Sequence, residues 1–230
     1  MQKRGEKEFS ISNLQFSVLG LLVSGGHTEL VLMPRKNKFK IIGETRDDAV
    51  GEAFDKVGRI LALPYPGGPE IARLALKGDA RAYVLPRPML HTKNYDFSFS
   101  GLKTAVLYLV RGPYQTKFDT QTKFGAGTKA NIAAAFQTAA IEVLVAKTVR
   151  AAKEYKVKTV LMGGGVAANE ALRAALCAAL KKEIPDSKVQ FPESSLCGDN
   201  ALMIAAAAYF LNKKKPVTEV RADANARLDR

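Results

Sequence analysis

The stretch Thr159-Val160-Leu161-Met162-Gly163-Gly164-Gly165-Val166-Ala167-Ala168-Asn169 decides how this chain folds. A short apolar run stopped by three glycines reads as a buried strand followed by a sharp turn. Helical spacing follows over Asn169 to Lys181, then a strand over Lys188 to Phe191 and an apolar helix over Asp199 to Leu211. Strand, glycine turn, helix, strand, helix is a βαβ arrangement and predicts an α/β fold with parallel strands. The glycines bring backbone close to something flat or anionic at a helix N-terminus. They also fit G-x-G-x-x-A, but the next strand ends at Phe191-Pro192-Glu193, later than the spacing of about 20 residues that a dinucleotide site places before its acid. Asn169 suits either a helix cap or an amide that grips a ribose or base.

Working outward, Thr128 to Tyr155 predicts one long alanine-rich helix with Ile132, Phe136, Ile141 and Leu144 facing inward. Leu14 to Val23 predicts a buried strand. Glu29 to Met33 and Phe39 to Gly43 predict two more, joined at Lys36-Asn37-Lys38 as a hairpin. Asp47 to Leu61 reads as a helix with acids in its first turn, broken by Pro64, Pro66 and Gly67-Gly68-Pro69 before a shorter helix over Glu70 to Lys77. Residues 79–99 read as a long ordered connection. Ser100 is the expected N-cap of a helix over Leu102 to Val110, and residues 112–127 as a surface loop.

Three further segments bear on chemistry. In Val23-Ser24-Gly25-Gly26-His27-Thr28, paired glycines let N–H groups converge on an anion, and Ser24 and Thr28 offer hydroxyl donors. A tight hairpin explains the same residues. In Leu196-Cys197-Gly198-Asp199-Asn200, Asp199 standing alone would be an N-cap. Asp47 to Lys56 sets acids three, four and seven apart along one expected helix face, either a solvated stripe or a carboxylate aimed at a ribose.

Composition bounds the partners. Hydrophobic residues are 47% and charged residues 25% of 230, an ordinary globular mixture. Thirty-five Lys and Arg against 22 Asp and Glu leave a net charge of +13, which suits a polyanion or a solvated surface with a basic tail at Lys213-Lys214-Lys215. Cys177 and Cys197 are expected as reduced thiols. With no signal peptide and no long apolar run in the sequence, a cytoplasmic location is expected. There is no His-Glu-x-x-His and no triad candidate, which argues against a protease.

Six ordered motifs together say more than any one. Val23 to Thr28, Gly51-Glu52-Ala53-Phe54-Asp55-Lys56, Tyr65-Pro66-Gly67-Gly68-Pro69, Asp96 to Thr104, Gly163 to Asn169 and Cys197-Gly198-Asp199-Asn200 closely resemble the TsaD family, the tRNA threonylcarbamoyladenosine transferases, from about Leu21 to Phe210. The resemblance implies the actin-like ATPase fold of sugar kinases and Hsp70. Residues 14–230 would then span the end of the first lobe and the second lobe, behind a charged segment over 1–13 that is not family-like. It implies that Leu22, Val23, Ser24, Gly25 and Gly26 hold the phosphate and acyl part of threonylcarbamoyl-AMP. Asp55, Gly68 and Asn169 would contact the ribose and adenine side, and Asp199 would ligate a metal, usually iron(II). The implied reaction moves threonylcarbamoyl to the N6 amine of the adenosine beside the anticodon in tRNAs reading ANN codons, with no catalytic residue of the protein bonded to the substrate. Implied partners are tRNA and TsaB-like and TsaE-like proteins. The family also begins with a half-lobe whose His-x-x-x-His helix gives two metal ligands. Nothing here matches it, and the histidines are His27 and His91. The expectation is therefore an N-terminally truncated form of the fold: a fragment, a chain completed by another, or a protein that no longer catalyses. The alternatives to a transferase are a silent scaffold subunit of the tRNA-modification complex and a small-molecule kinase of the same fold.

Overall fold

β1 (Val18–Val23) is the axis of the molecule. Its sequence is apolar apart from one glycine, so both faces suit burial, and Leu19, Leu21 and Val23 are fully enclosed. The structure, a computed structural model, describes residues 15–111, 126–211, 216–219, 221 and 227–228. The segment 1–13, most of the expected loop over 112–127 and the Lys213-Lys214-Lys215 tail lie outside them.

On one side of β1 lies antiparallel β2 (Thr28–Arg35), then β3 (Lys38–Glu44), with Asn37 at φ 59° turning the hairpin where the sequence predicts it. On the other side β4 (Thr159–Gly163) and β5 (Lys188–Gln190) run parallel to β1, giving the order β3-β2-β1-β4-β5. The fold is therefore α/β with a mixed five-stranded sheet. Parallel β1 and β4 present their C-terminal ends side by side, with Leu22 opposite Gly163.

Among the described residues there are six α-helices, in chain order α1 (Val50–Ile60), α2 (Gly67–Ala75), α3 (Ser100–Arg111), α4 (Ala126–Glu154), α5 (Glu170–Glu183) and α6 (Ala201–Leu211). α4 is the core helix. Ile132, Phe136 and Leu144 are fully buried as expected, Ile141 half-buried, and Phe136 meets Phe54 of α1 edge-on at 4.9 Å. Its stretch Gly127–Glu154 is long and apolar enough to cross a membrane, which the sequence reading had not expected, but 78% of the window is buried among the other elements. A protein core accounts for its composition.

The long connection before α3 is ordered, as expected. Leu85, Tyr95, Phe97 and Phe99 are buried, and Asp96 takes hydrogen bonds from Glu44 N–H (3.2 Å) and Arg46 Nε (2.7 Å). Lys147 of α4 is fully buried and reaches the Thr92 hydroxyl (2.9 Å) and the Asn94 carbonyl (3.1 Å). Burial, then the Arg150 charge, push its ammonium down to about 8 against an opposing pull from Asp96.

Helix starts differ from expectation in an informative way. α1 begins at Val50, not Asp47, because Val50 N–H donates to the Thr28 hydroxyl at 2.8 Å. Thr28 is fully buried, so it is a cap inside the fold rather than a donor to a ligand. Asp47 and Asp48 lie ahead of α1, which breaks up the expected acidic stripe. Asp48 pairs with Lys56 (2.8 Å) and Lys103 (2.7 Å). Asp47 accepts from the N–H groups of Phe99 (2.8 Å) and Ser100 (3.2 Å) and from the hydroxyls of Ser98 and Ser100. Ser100, the expected cap, is the first residue of α3, and Asp47 does the capping from 53 residues upstream.

This cap has a pH signature. Burial pushes the Asp47 carboxyl up, but bonds from Ser100, Ser98 and the Phe99 and Ser100 N–H groups together hold it below its ordinary value. A carboxylate depressed on folding contributes stability that is present above its unfolded pKa of about 3.9 and lost as pH falls through the folded value. Asp47→Ala is expected to lower unfolding free energy by about 1–2 kcal/mol at pH 7. The gap should shrink as pH falls below about 4, where the unfolded carboxylate protonates first and the folded one only at lower pH. Urea melts of both proteins across that range check it; a gap independent of pH would remove the charged cap.

Candidate functional site

The turn between β1 and β2 is built on Ser24. Its N–H donates to the His27 carbonyl (2.8 Å), and its hydroxyl accepts from the N–H groups of Gly26 (3.2 Å) and His27 (3.0 Å). Gly25, Gly26 and His27 are exposed at the tip. The start of α1 presses against this turn: Gly51 N–H donates to the Ser24 carbonyl at 3.1 Å, and a Cβ at Gly51 would stand 2.6 Å from that oxygen. Close approach of backbone to backbone is what this glycine permits.

The second glycine turn sits beside the first. Gly164 has φ +93° and an added Cβ would lie 2.3 Å from the Val23 carbonyl oxygen, so β4 ends packed directly on the end of β1. A short 3-10 turn, Gly165–Ala168, leads into α5. Gly165 is exposed with no heavy atom within 4 Å of an added Cβ. Gly25 and Gly165 thus line the open edge above the parallel strands, where α/β sheets bind ligands.

The remaining expected residues fall in three places. Asp55 lies four residues beyond Gly51, about 6 Å along α1. Its Oδ1 accepts from Gly67 N–H (2.7 Å) and Gly68 N–H (3.4 Å), which caps α2 and joins two of the expected residues, Asp55 and Gly68. Asn169 is the N-cap of α5: its Oδ1 accepts from Leu172 N–H (3.1 Å), and its Nδ2 donates to Gln137 of α4 (2.9 Å). Asp199 is exposed and is not a cap, because Asn200 Oδ1 accepts from Met203 N–H at 2.9 Å and starts α6 in its place.

Arg173, which sequence reading passed over, ties these parts together. Its Nε donates to the Ala167 carbonyl (2.5 Å), and its Nη2 to the Pro192 carbonyl (2.8 Å) and Cys197 Sγ (3.2 Å), while the guanidinium lies over Phe191 at 5.4 Å. One side chain therefore holds the glycine turn against the segment that leads to Asp199. An arginine inside a predicted helix carries no sequence signal of that role.

Among the described residues no group of three or more His, Cys, Asp or Glu comes close enough together to hold a metal ion. Asp199 with solvent offers one hard ligand, and transition-metal sites draw on imidazole or thiolate. The described residues do not fit iron.

Glycine turns at adjacent parallel strand ends, over a mixed sheet backed by helices, define an α/β protein whose C-terminal strand edge lies where such sheets take their ligands. The fold resembles the crystal structure of T. kodakarensis HypF, with a TM-score of 0.62 over 87% of this chain and 34% of that one at 15% identity. The chain belongs to the family described as TsaD: tRNA N6-adenosine threonylcarbamoyltransferase, whose family model matches residues 7–206. It is 50% identical over 204 residues to the tRNA N6-adenosine threonylcarbamoyltransferase of Enterococcus faecalis, covering 89% of this chain and 56% of that protein. The enzyme of the same name from Geobacillus kaustophilus is 49% identical over 218 residues, covering 95% of this chain and 61% of the relative. The chain thus spans a little over half the length of these relatives.

Proposed function

We propose that this chain carries the nucleotide-binding part of a tRNA N6-adenosine threonylcarbamoyltransferase on an actin-like ATPase fold. The observation behind this reading is the pair of glycine turns, Ser24-Gly25-Gly26 and Gly163-Gly164-Gly165, side by side at the ends of β1 and β4. In this reading Leu22 to Gly26 hold the phosphate and acyl part of threonylcarbamoyl-AMP. Asp55, Gly68 and Asn169 face its ribose and adenine, with Asp55 and Asn169 already oriented by Gly67 and Gln137. The adenosine N6 nitrogen attacks the carbamoyl carbon, the new N–C bond forms, and the bond from that carbon to the AMP phosphate oxygen breaks. AMP departs and the amine proton passes to solvent. The chain's part is to bind and orient. Asp199 is proposed as one metal ligand whose companions come from outside the described residues. A cytoplasmic setting with TsaB-like and TsaE-like partners belongs to the same proposal.

Gly165→Trp tests the site without disturbing the fold, since space is open there. Calorimetric titration with an adenine nucleotide is expected to show binding to the wild type and affinity reduced on the order of tenfold or more in the variant, about 1.4 kcal/mol. Equal affinity in a folded variant overturns the assignment. The net charge of +13 gives a second expectation: tRNA binding whose affinity falls steeply between low and physiological salt. Salt-independent binding, or none at low salt, leaves the basic surface to solubility.

A further inference from the structure

The N-terminal ends of the parallel strands, opposite the glycine turns, carry a row of cations. Register places Arg35 of β2 against Lys38 of β3, and Val18 of β1 between Met33 and Thr159. Just ahead of β1, the Ser17 carbonyl takes the N–H of Lys158, and the Lys158 carbonyl takes the N–H of Lys188, each at 2.9 Å. Lys38, Arg35, Phe16, Lys158 and Lys188 therefore follow one another across the five strands, about 19 Å at the usual strand spacing. Lys36 extends the row at the hairpin. All five cations are exposed. Among the described residues none of the five pairs with a carboxylate, whereas Lys153 of α4 pairs with Glu183 of α5. Phe16 (36% exposed), Phe39 (38%) and Tyr155 (37%) show part of their rings beside them.

Two ordinary explanations cover part of this charge. Lysines on the edge strands β3 and β5 block pairing between sheets, which accounts for Lys38 and Lys188. Cations in the last turns of α4 and α5, such as Lys153, Lys181 and Lys182, suit the helix dipole. Neither explains Arg35, Lys36 and Lys158, nor the shortage of free acids. Glu154 takes the Tyr95 hydroxyl and Glu183 takes Lys153, while Asp186 stands exposed two residues ahead of Lys188. We propose that this end of the sheet is a separate RNA contact, which grips the phosphate backbone of the tRNA away from the edge assigned to the nucleotide. The six residues of β1 put on the order of 20 Å between the row and the Ser24 turn. A line of cations follows a phosphate backbone and releases its counterions, and the partly exposed rings offer stacking faces to unpaired bases. The choice of tRNA rests on the function proposed above; the place of the contact rests on the charge row. Being remote from the nucleotide turns, the row adds affinity for RNA without touching the nucleotide.

The test combines Lys36→Gln, Lys158→Gln and Lys188→Gln in the full chain. A matched control neutralises the exposed Arg59, Lys77 and Lys93 instead, so that both proteins lose the same charge. Binding to an unmodified tRNA transcript is followed by fluorescence anisotropy from low to physiological salt. The row variant is expected to bind roughly tenfold more weakly at low salt, with a log–log salt slope shallower by about two, while the control stays close to the wild type. Arg35→Gln with Lys38→Gln, on the hairpin alone, should move both quantities in the same direction, and it decides the matter if the triple variant fails to fold. Absence of tRNA binding by the wild type, equal losses in row variant and control, or an unchanged slope would each overturn the proposal. So would anionic lipid vesicles whose binding the row variant abolishes while tRNA binding persists. Titration of the same samples with an adenine nucleotide keeps the two readings apart. Unaltered nucleotide affinity beside indifferent tRNA binding removes the row alone, whereas a wild type that binds no nucleotide counts against the function proposed above.

Discussion

Gly164→Val is expected to lower unfolding free energy by about 3 kcal/mol or more, the largest single-residue effect at this site. Two penalties add. The backbone stands at φ +93°, a conformation that a β-branched side chain resists. The new Cβ would lie 2.3 Å from the Val23 carbonyl oxygen and 3.3 Å from the Ser24 Cβ. Val23 cannot yield, because it is fully buried and its strand is bonded on both sides, to β2 and to β4. Relief would have to come from slipping β4 against β1, which breaks the parallel ladder. Gly165→Val is the matched control, since an added side chain there meets open space. Urea denaturation of both variants gives the comparison. Equal stability would mean that the two strand ends are not packed as described.

The second large effect concerns metal and turnover. The purified chain is expected to carry far less than one equivalent of iron and to show no threonylcarbamoyl transfer to tRNA. The reasoning is a ligand count: Asp199 is exposed, and the described residues gather no group of three or more His, Cys, Asp or Glu around any point. One carboxylate with waters holds a transition metal weakly. Elemental analysis and a transfer assay measure the two quantities, first on the chain alone and then with the unmatched portion of a relative supplied in trans. Both metal and activity should rise together on that addition. Stoichiometric iron and full turnover in the chain alone would falsify the ligand count and place the reacting centre elsewhere.

Much of the fold was legible because its signals are local. The apolar run of β1, the alanine-rich period of α4 and the glycine turn after β4 each reflect one element's own burial, and each element is present. Boundaries were less legible where a side chain from elsewhere sets them. Asp47 reads as the first turn of its own helix, yet its carboxylate caps α3, and Thr28 caps α1 from 22 residues away. Nothing in a window of a dozen residues encodes such a bond. The same limit applies to the site. The Ser24 and Gly163 turns announce themselves by composition, whereas the Gln137 partner of Asn169 and the Arg173 clamp depend on tertiary contacts. The exposure of α6 was also hidden, because an apolar composition predicts burial whereas Leu202, Ile204 and Tyr209 are largely exposed.

The Ser24 turn is gripped from both ends before any ligand arrives. At one end the Ser24 carbonyl takes the Gly51 N–H, and at the other the Thr28 hydroxyl takes the Val50 N–H, so two successive amides of one helix pin a loop of three exposed residues. Such a loop has little conformational entropy left to surrender when an anion settles on it, whereas a free glycine pair would give up a good deal. The rigidity is installed during folding, so the phosphate binding proposed for this turn would draw on a loop already in shape. A thermodynamic corollary follows. Loosening the anchor at Thr28, which is fully buried, should appear as a less favourable entropy of the proposed binding with its enthalpy little changed.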